Sequence, residues 1–153
     1  RLIDLNINPN TIASEMLLII SQRLAKRNCP ECKKEYRPGK ELLDTFYPSG
    51  VPQGLVFYNS PGCDFCGFRG HKGRIAVMEF WFIDMESKRL IIERADSNEI
   101  LTSSMERGMV PMIKDALMKV EEGIIPLDEL PNIIPYFQIL NWKNDHTHLI
   151  KNR

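Results

Sequence analysis

No long apolar run occurs in this chain. The candidate stretch Met16 to Ile20 falls far short of the roughly 18–20 residues a membrane-crossing helix needs, so no direct membrane insertion is expected. No secretory leader is visible. Neither sign of charge is in excess. Twenty Lys and Arg face 20 Asp and Glu, so no net charge draws the whole chain to nucleic acid or to a membrane surface. A phosphate loop is missing too. Gly-Lys is nowhere followed by Ser or Thr at a helix start, and no apolar strand ends in acids, so the chain should not hydrolyse ATP by itself. No Ser/His/Asp, Cys/His or paired-carboxylate arrangement can be argued from spacing, and Glu79 and Asp84 receive no catalytic role. Histidine is scarce: His71 stands alone, and His146 and His148 read as part of a solvated tail. Internal repeats and low-complexity tracts are absent.

What is present suits a folded globular chain. Hydrophobic residues make up 43% of the 153 positions and charged residues 26%, enough apolar mass to bury a core and too little charge for disorder. Charge is uneven locally. Seven bases between Arg23 and Lys40 outnumber Glu31 and Glu35, whereas Asp84 to Glu129 is acidic and reads as solvated helix faces. The chain opens at Arg1 inside what reads as an element, so a fragment of a longer protein is expected.

Asn8-Pro9-Asn10-Thr11 is a helix-start signal, and Ile12, Met16, Ile19, Ile20 and Leu24 recur at helical spacing. With Arg23, Lys26 and Arg27 in the last turn, this predicts one helix over 9–27 that delivers the chain to Cys29. A short helix over 41–46, a short strand over 55–58 and a longer strand over 74–83 follow. Helical patterns recur at 86–95, 97–107, 110–122 and 127–133, with Gly108 and Gly123 where C-caps belong. The tail from Pro135 is polar and weakly periodic, with an end expected to be disordered.

All four cysteines fall in two Cys-x-x-Cys pairs, Cys29/Cys32 and Cys63/Cys66, 30 residues apart. Such a turn points two sulfurs at one place about 3.5–4 Å apart, and two turns complete a four-sulfur shell for a tetrahedral metal. A redox dithiol needs one pair rather than two, and disulfides suit an exported chain. The shell favours zinc over iron because Lys33, not Gly, follows the first pair; a coloured iron protein is the competing outcome. A closed shell leaves no place for water, so the zinc role is structural. Lys26, Arg27, Lys33, Lys34, Arg69 and Lys72 lie near in sequence and read as compensation for the site's negative charge. The run Gly67 to Gly73 has G-x-x-G-x-x-G spacing but not the phosphate-loop pattern, and reads as a hinge between knuckle and strand.

Several stretches jointly resemble the C-terminal part of the GspE/PilB-type secretion and type IV pilus assembly ATPases. "RLIDLNINPNTIASEMLLIISQRLAKRNCPECK" is similar to that family's run into its first cysteine pair. "GCDFCGFRGHKGRIAVMEF" is similar to its second pair and the following G-x-x-G-R stretch, and "ERGMVPMIKDALMKVEEGIIPLDEL" to its C-terminal helices. The resemblance covers about residues 1–134. It implies a cytoplasmic, homo-hexameric parent, peripheral at the bacterial inner membrane against a platform protein, with ATP and Mg2+ bound in a core that lies outside these residues. It carries the zinc ligands over to Cys29, Cys32, Cys63 and Cys66. It makes Arg74 a nucleotide-proximal candidate, although an ion pair with Glu79 would explain that arginine equally well.

The fold expected is α+β and mostly helical: a small tetracysteine zinc-knuckle subdomain, a short strand region and a C-terminal helical bundle. The divisions expected are 1–28 (the helix from the end of the ATPase core), 29–73 (metal-binding), 74–134 (strand and helices) and 135–153 (tail). The function implied is coupling of ATP hydrolysis to the membrane platform. The alternative is a free-standing zinc-ribbon module that binds nucleic acid or protein, with Lys26, Arg27, Lys33, Lys34, Tyr36 and Phe68 as its contact face.

Overall fold

The computed structural model describes residues 2–150, and side-chain surroundings through residue 143. The fold is α+β. In chain order it has α1 (Pro9–Glu15), β1 (Leu18–Asn28), β2 (Lys34–Tyr36), α2 (Lys40–Phe46), β3 (Phe57–Asn59), β4 (His71–Phe82), α3 (Met85–Ile92), α4 (Ser97–Glu106), α5 (Met112–Glu121), α6 (Leu130–Ile133) and α7 (Tyr136–Ile150). Single 3-10 turns occupy Asp64–Cys66 and Leu127–Glu129. β1 pairs with β4, and β2 with β3. Among the described residues no helix is long and apolar enough to cross a membrane.

Two compact units share the chain: Arg1–Ser21 with Met78–Pro111, and Gln22–Val77 with Met112–Arg153. In the first, α1 starts as the sequence predicts, with the Asn8 side chain accepting the Asn10 N–H at 2.9 Å and Pro9 in the first turn. The predicted helix over 9–27, however, stops at Glu15. Residues 18–28 form β1 instead. Leu17 to Ile20 is an apolar run that fits either period, and the ladder with β4, distant in sequence, decides between them. Ile12 and Ala13 of α1 are buried with Ile83 and Ile91.

Asp84 starts α3. Its carboxylate accepts the Ser87 N–H at 2.8 Å and pairs with Arg107. The Ser87 N–H first, and then the guanidinium, hold its pKa down to about 2, below an ordinary value of 3.8. A depressed carboxylate stabilises the fold above its unfolded value. That contribution is therefore complete above about pH 4 and lost as pH falls through about 2. Asp84→Ala should cost about 1 kcal/mol in urea unfolding at pH 7, and Asp84→Asn, which keeps the cap, clearly less. Equal losses for the two variants would assign the effect to the ion pair.

The second unit is built around α5. Ile113, Ala116, Leu117 and Val120 recur on one buried face, each large side chain worth about 1.5–3 kcal/mol when removed from water. Phe46 of α2, Phe57 of β3 and Val77 of β4 complete that core with Ile125, Leu127 and Leu130. The buried Glu129 carboxylate accepts the Lys26 N–H at 3.1 Å on β1 and the Asn132 amide at 3.3 Å. The predicted tail is helical: α7 begins at Tyr136, and Ile139 and Trp142 pack on the core. Trp142 Nε1 donates to the Phe46 carbonyl at 3.0 Å. A short apolar pair three residues apart carries this helix, and it leaves little trace in a polar sequence. The expected disordered end and the side chains of His146 and His148 lie outside the described residues.

Candidate metal centre

Each cysteine pair sits on a turn that the local sequence dictates. β1 ends at Asn28 and hands the chain to Cys29; the Lys33 N–H closes the first turn on the Cys29 carbonyl at 2.9 Å. In the second, Cys63 to Cys66 form a 3-10 turn. The Cys63 N–H donates to Cys66 Sγ at 3.2 Å, and the Cys66 N–H donates back to Cys63 Sγ. Gly67 ends the turn with φ of 59°, and the Phe68 N–H closes it on the Cys63 carbonyl at 2.8 Å. Amides directed at sulfur favour thiolates over thiols.

The two turns meet. β2 pairs antiparallel with β3, Lys34 opposite Asn59 and Tyr36 opposite Phe57, which brings the chain after Cys32 alongside the chain before Cys63. All four sulfurs lie within 4.8 Å of one another. Cys63 Sγ is 3.8 Å from Cys29 Sγ and 3.9 Å from Cys66 Sγ. A tetrahedron with metal–sulfur bonds of about 2.3 Å has edges of about 3.8 Å. A disulfide needs about 2.05 Å, and all four cysteines are free. Cys29 and Cys66 are fully buried and Cys32 and Cys63 partly so, as suits a closed shell. Distances and donor chemistry both fit a tetrahedral thiophilic cation.

The thiols do not titrate alike. Burial pushes Cys32 up to about 12, with help from the other three sulfurs. Burial also opposes ionisation of Cys66, but the N–H groups of Cys63 and Gly70 outweigh it and bring that thiol down to about 6. A divalent cation at the cluster would favour the thiolate forms, since metal ligands must be deprotonated.

Three of the six cations near the cysteines in sequence bond backbone carbonyls. Arg69 Nε donates to the Cys66 carbonyl at 3.1 Å. Lys72 Nζ reaches the Phe65 carbonyl at 3.3 Å and lies 4.8 Å from the Phe65 ring centre. Lys33 Nζ donates to the Gly123 carbonyl at 3.2 Å and sits 4.6 Å from the Tyr58 ring centre. Arg74 is exposed on β4.

Gly70, after the second turn, and Gly62, before it, are each closely approached by other backbone. Gly70 has φ of +70°, and a Cβ there would stand 2.2 Å from the Ser60 carbonyl oxygen. Gly62, at +113°, would meet the Phe68 carbonyl at 2.7 Å. Both are fixed close approaches of backbone to backbone. Gly73 lies within β4.

Two residues around the site carried no sequence signal. The Ser60 hydroxyl accepts the Cys29 N–H at 3.0 Å, and the Asn28 side chain reaches both the Tyr58 and Gly123 carbonyls. Their partners are distant in sequence, so no local spacing marks them.

Residues 1–132 match a protein family described as "Type II/IV secretion system protein". Among curated proteins, the chain is 34% identical to the "Type IV pilus assembly ATPase PilB" of Thermus thermophilus. That match uses 85% of this chain and 15% of the relative. It is 31% identical to the "Type IV pilus assembly ATPase TfpB" of Acinetobacter baylyi, over 88% of this chain and 23% of the relative. It is 33% identical to the "Type II secretion system ATPase E" of Vibrio cholerae, over 87% of this chain and 26% of the relative. The chain thus spans about a quarter or less of the length of these relatives.

Proposed function

The chain belongs to the type II/IV secretion system protein family, and from that membership we propose that it is the C-terminal zinc-binding portion of a bacterial type II secretion or type IV pilus assembly ATPase. Its role is to couple ATP hydrolysis in a phosphate-loop core elsewhere in the longer protein to an inner-membrane platform. The observation that carries the reading is the meeting of four sulfurs within 4.8 Å in a chain whose relatives are named as motor ATPases.

Cys29, Cys32, Cys63 and Cys66 would hold a structural zinc. Bound there, the ion supplies no reaction chemistry; it cross-links two turns 30 residues apart and fixes the surface they carry. ATP and Mg2+ belong to the core. Arg74, exposed on β4, is the residue of this chain suited to a nucleotide phosphate, because a guanidinium offers a planar fork of donors. The parent acts as a homo-hexamer, cytoplasmic and peripheral at the inner membrane. Lys33, one of the four bases of the nucleic-acid alternative, is engaged with the Gly123 carbonyl.

Elemental analysis of the purified chain should give one zinc per chain, and the chain alone should turn over no ATP. A longer protein that carries these residues behind a phosphate loop should hydrolyse ATP as a hexamer, and its Arg74→Ala variant should bind nucleotide more weakly. A metal-free chain with an intact fold would remove the zinc assignment, and a coloured iron-loaded chain would replace it. Unchanged nucleotide affinity in the variant would remove Arg74.

A further inference from the structure

The first ligand cysteine is gripped from both flanks of the second cysteine turn. Its N–H donates to Ser60 Oγ at 3.0 Å, three residues before Cys63, and is shared with the Gly70 carbonyl at 3.3 Å, four residues after Cys66. The Ser60 hydroxyl passes its own hydrogen to Asn28 Oδ1 at 3.2 Å. Asn28 is 8% exposed and uses every polar atom of its side chain. Its amide donates to the Tyr58 carbonyl at 3.2 Å and to the Gly123 carbonyl at 3.1 Å, and its backbone N–H donates to the Ile124 carbonyl at 2.8 Å. Lys33 Nζ, just past the other end of the first turn, reaches the same Gly123 carbonyl.

We propose that Ser60, oriented by Asn28, is the positioning residue of the tetrathiolate site, and that Asn28 ties that site to the turn after α5. This rests on reading the four cysteines as a metal site. Ser60 bonds the backbone of a ligand rather than its sulfur, so it acts through where Cys29 sits. It places the Cys29 sulfur 3.8 Å from that of Cys63. Preorganisation of this kind lowers the cost of closing the shell, and loss of an outer partner typically weakens metal binding about 10–100-fold. The link to Gly123 works through buried bonds whose loss leaves donors and acceptors unpaired. A cation that fixes Cys29 and Cys32 therefore also restrains the turn between Glu122 and Ile125.

The test uses the full chain. Zinc affinity is measured by competition with a chromophoric chelator, cobalt is bound in place of zinc to read the ligand field, and backbone exchange is followed at Gly123, Ile124 and Ile125. Ser60→Ala should bind zinc about 10–100-fold more weakly and alter the cobalt spectrum, while Ser60→Thr restores both. Zinc should slow exchange at the three amides, and Asn28→Ser should reduce that slowing. A purely structural role would leave zinc affinity and the cobalt bands of Ser60→Ala at wild-type values, which overturns the positioning role. Exchange at Ile124 that ignores zinc overturns the tie, and this stays decisive if Ser60→Ala does not fold. Should the wild-type chain take up neither zinc nor cobalt, the metal reading itself falls, an outcome distinct from metal uptake that is indifferent to Ser60.

Discussion

Stripping the cation with a chelator, or replacing Cys66 by Ser, should unfold the segment from Cys29 to Cys66 and cost the second unit most of its stability. Four thiolates around zinc contribute about 10–16 kcal/mol of apparent folding free energy at neutral pH. Whole domains are stable by only about 5–15 kcal/mol, so the cross-link outweighs the rest of the balance. What lies between the pairs cannot stand without it. β2 and β3 are three residues each, too short for an independent hairpin. Yet they carry Phe57 into the core on which Phe46 and α5 rest. Cys66 is fully buried, so its replacement removes a ligand from the enclosed side of the cluster. Circular dichroism and thermal melting with and without chelator read the effect. An unchanged melting curve after verified metal loss would sink the prediction.

Gly70→Ala should be strongly destabilising. A methyl group there would sit 2.2 Å from the Ser60 carbonyl oxygen, which is backbone and cannot swing aside. The left-handed conformation adds strain of about 1–2 kcal/mol for any L side chain. With the forced shift of Ser60, the total should reach about 3 kcal/mol or more. Gly67→Ala provides the comparison. Its φ is +59°, but a Cβ there meets nothing within 4 Å, so it should cost the strain alone. Urea unfolding of the two zinc-loaded variants measures the difference. Equal losses would show that the Ser60 contact yields freely.

The cysteine cluster was legible because its signal is local. A Cys-x-x-Cys turn fixes its own geometry, and two of them need only be brought together. The cap at Asn8 was legible for the same reason, since it bonds within two residues. The failure at β1 has the opposite cause. Ile12, Met16, Ile19, Ile20 and Leu24 satisfy a helical period, but a strand partner far along the chain offers 18–28 a ladder that local spacing does not encode. β2 is too short to show any period. α7 was missed because two side chains, Ile139 and Trp142, secure it to a core assembled from elsewhere. Ser60 and Asn28 were invisible for a further reason: they are ordinary polar residues until folding sets carbonyls from Tyr58 and Gly123 around them.

The bonds from Asn28 to Gly123 and Ile124 also order events on the ribosome. All four sulfurs have left the exit tunnel well before residue 124 does. At about 5–20 residues per second, the gap between Cys66 and Ile124 is on the order of 3–12 s. During that interval the nascent chain owns a complete set of ligands, and a second turn that bonds itself, but not the carbonyls that hold Asn28. A cation taken up in that interval would sit on a loose scaffold and be locked only when the end of α5 arrives. A ribosome stalled between those two points would display a metal-loaded site still open to exchange.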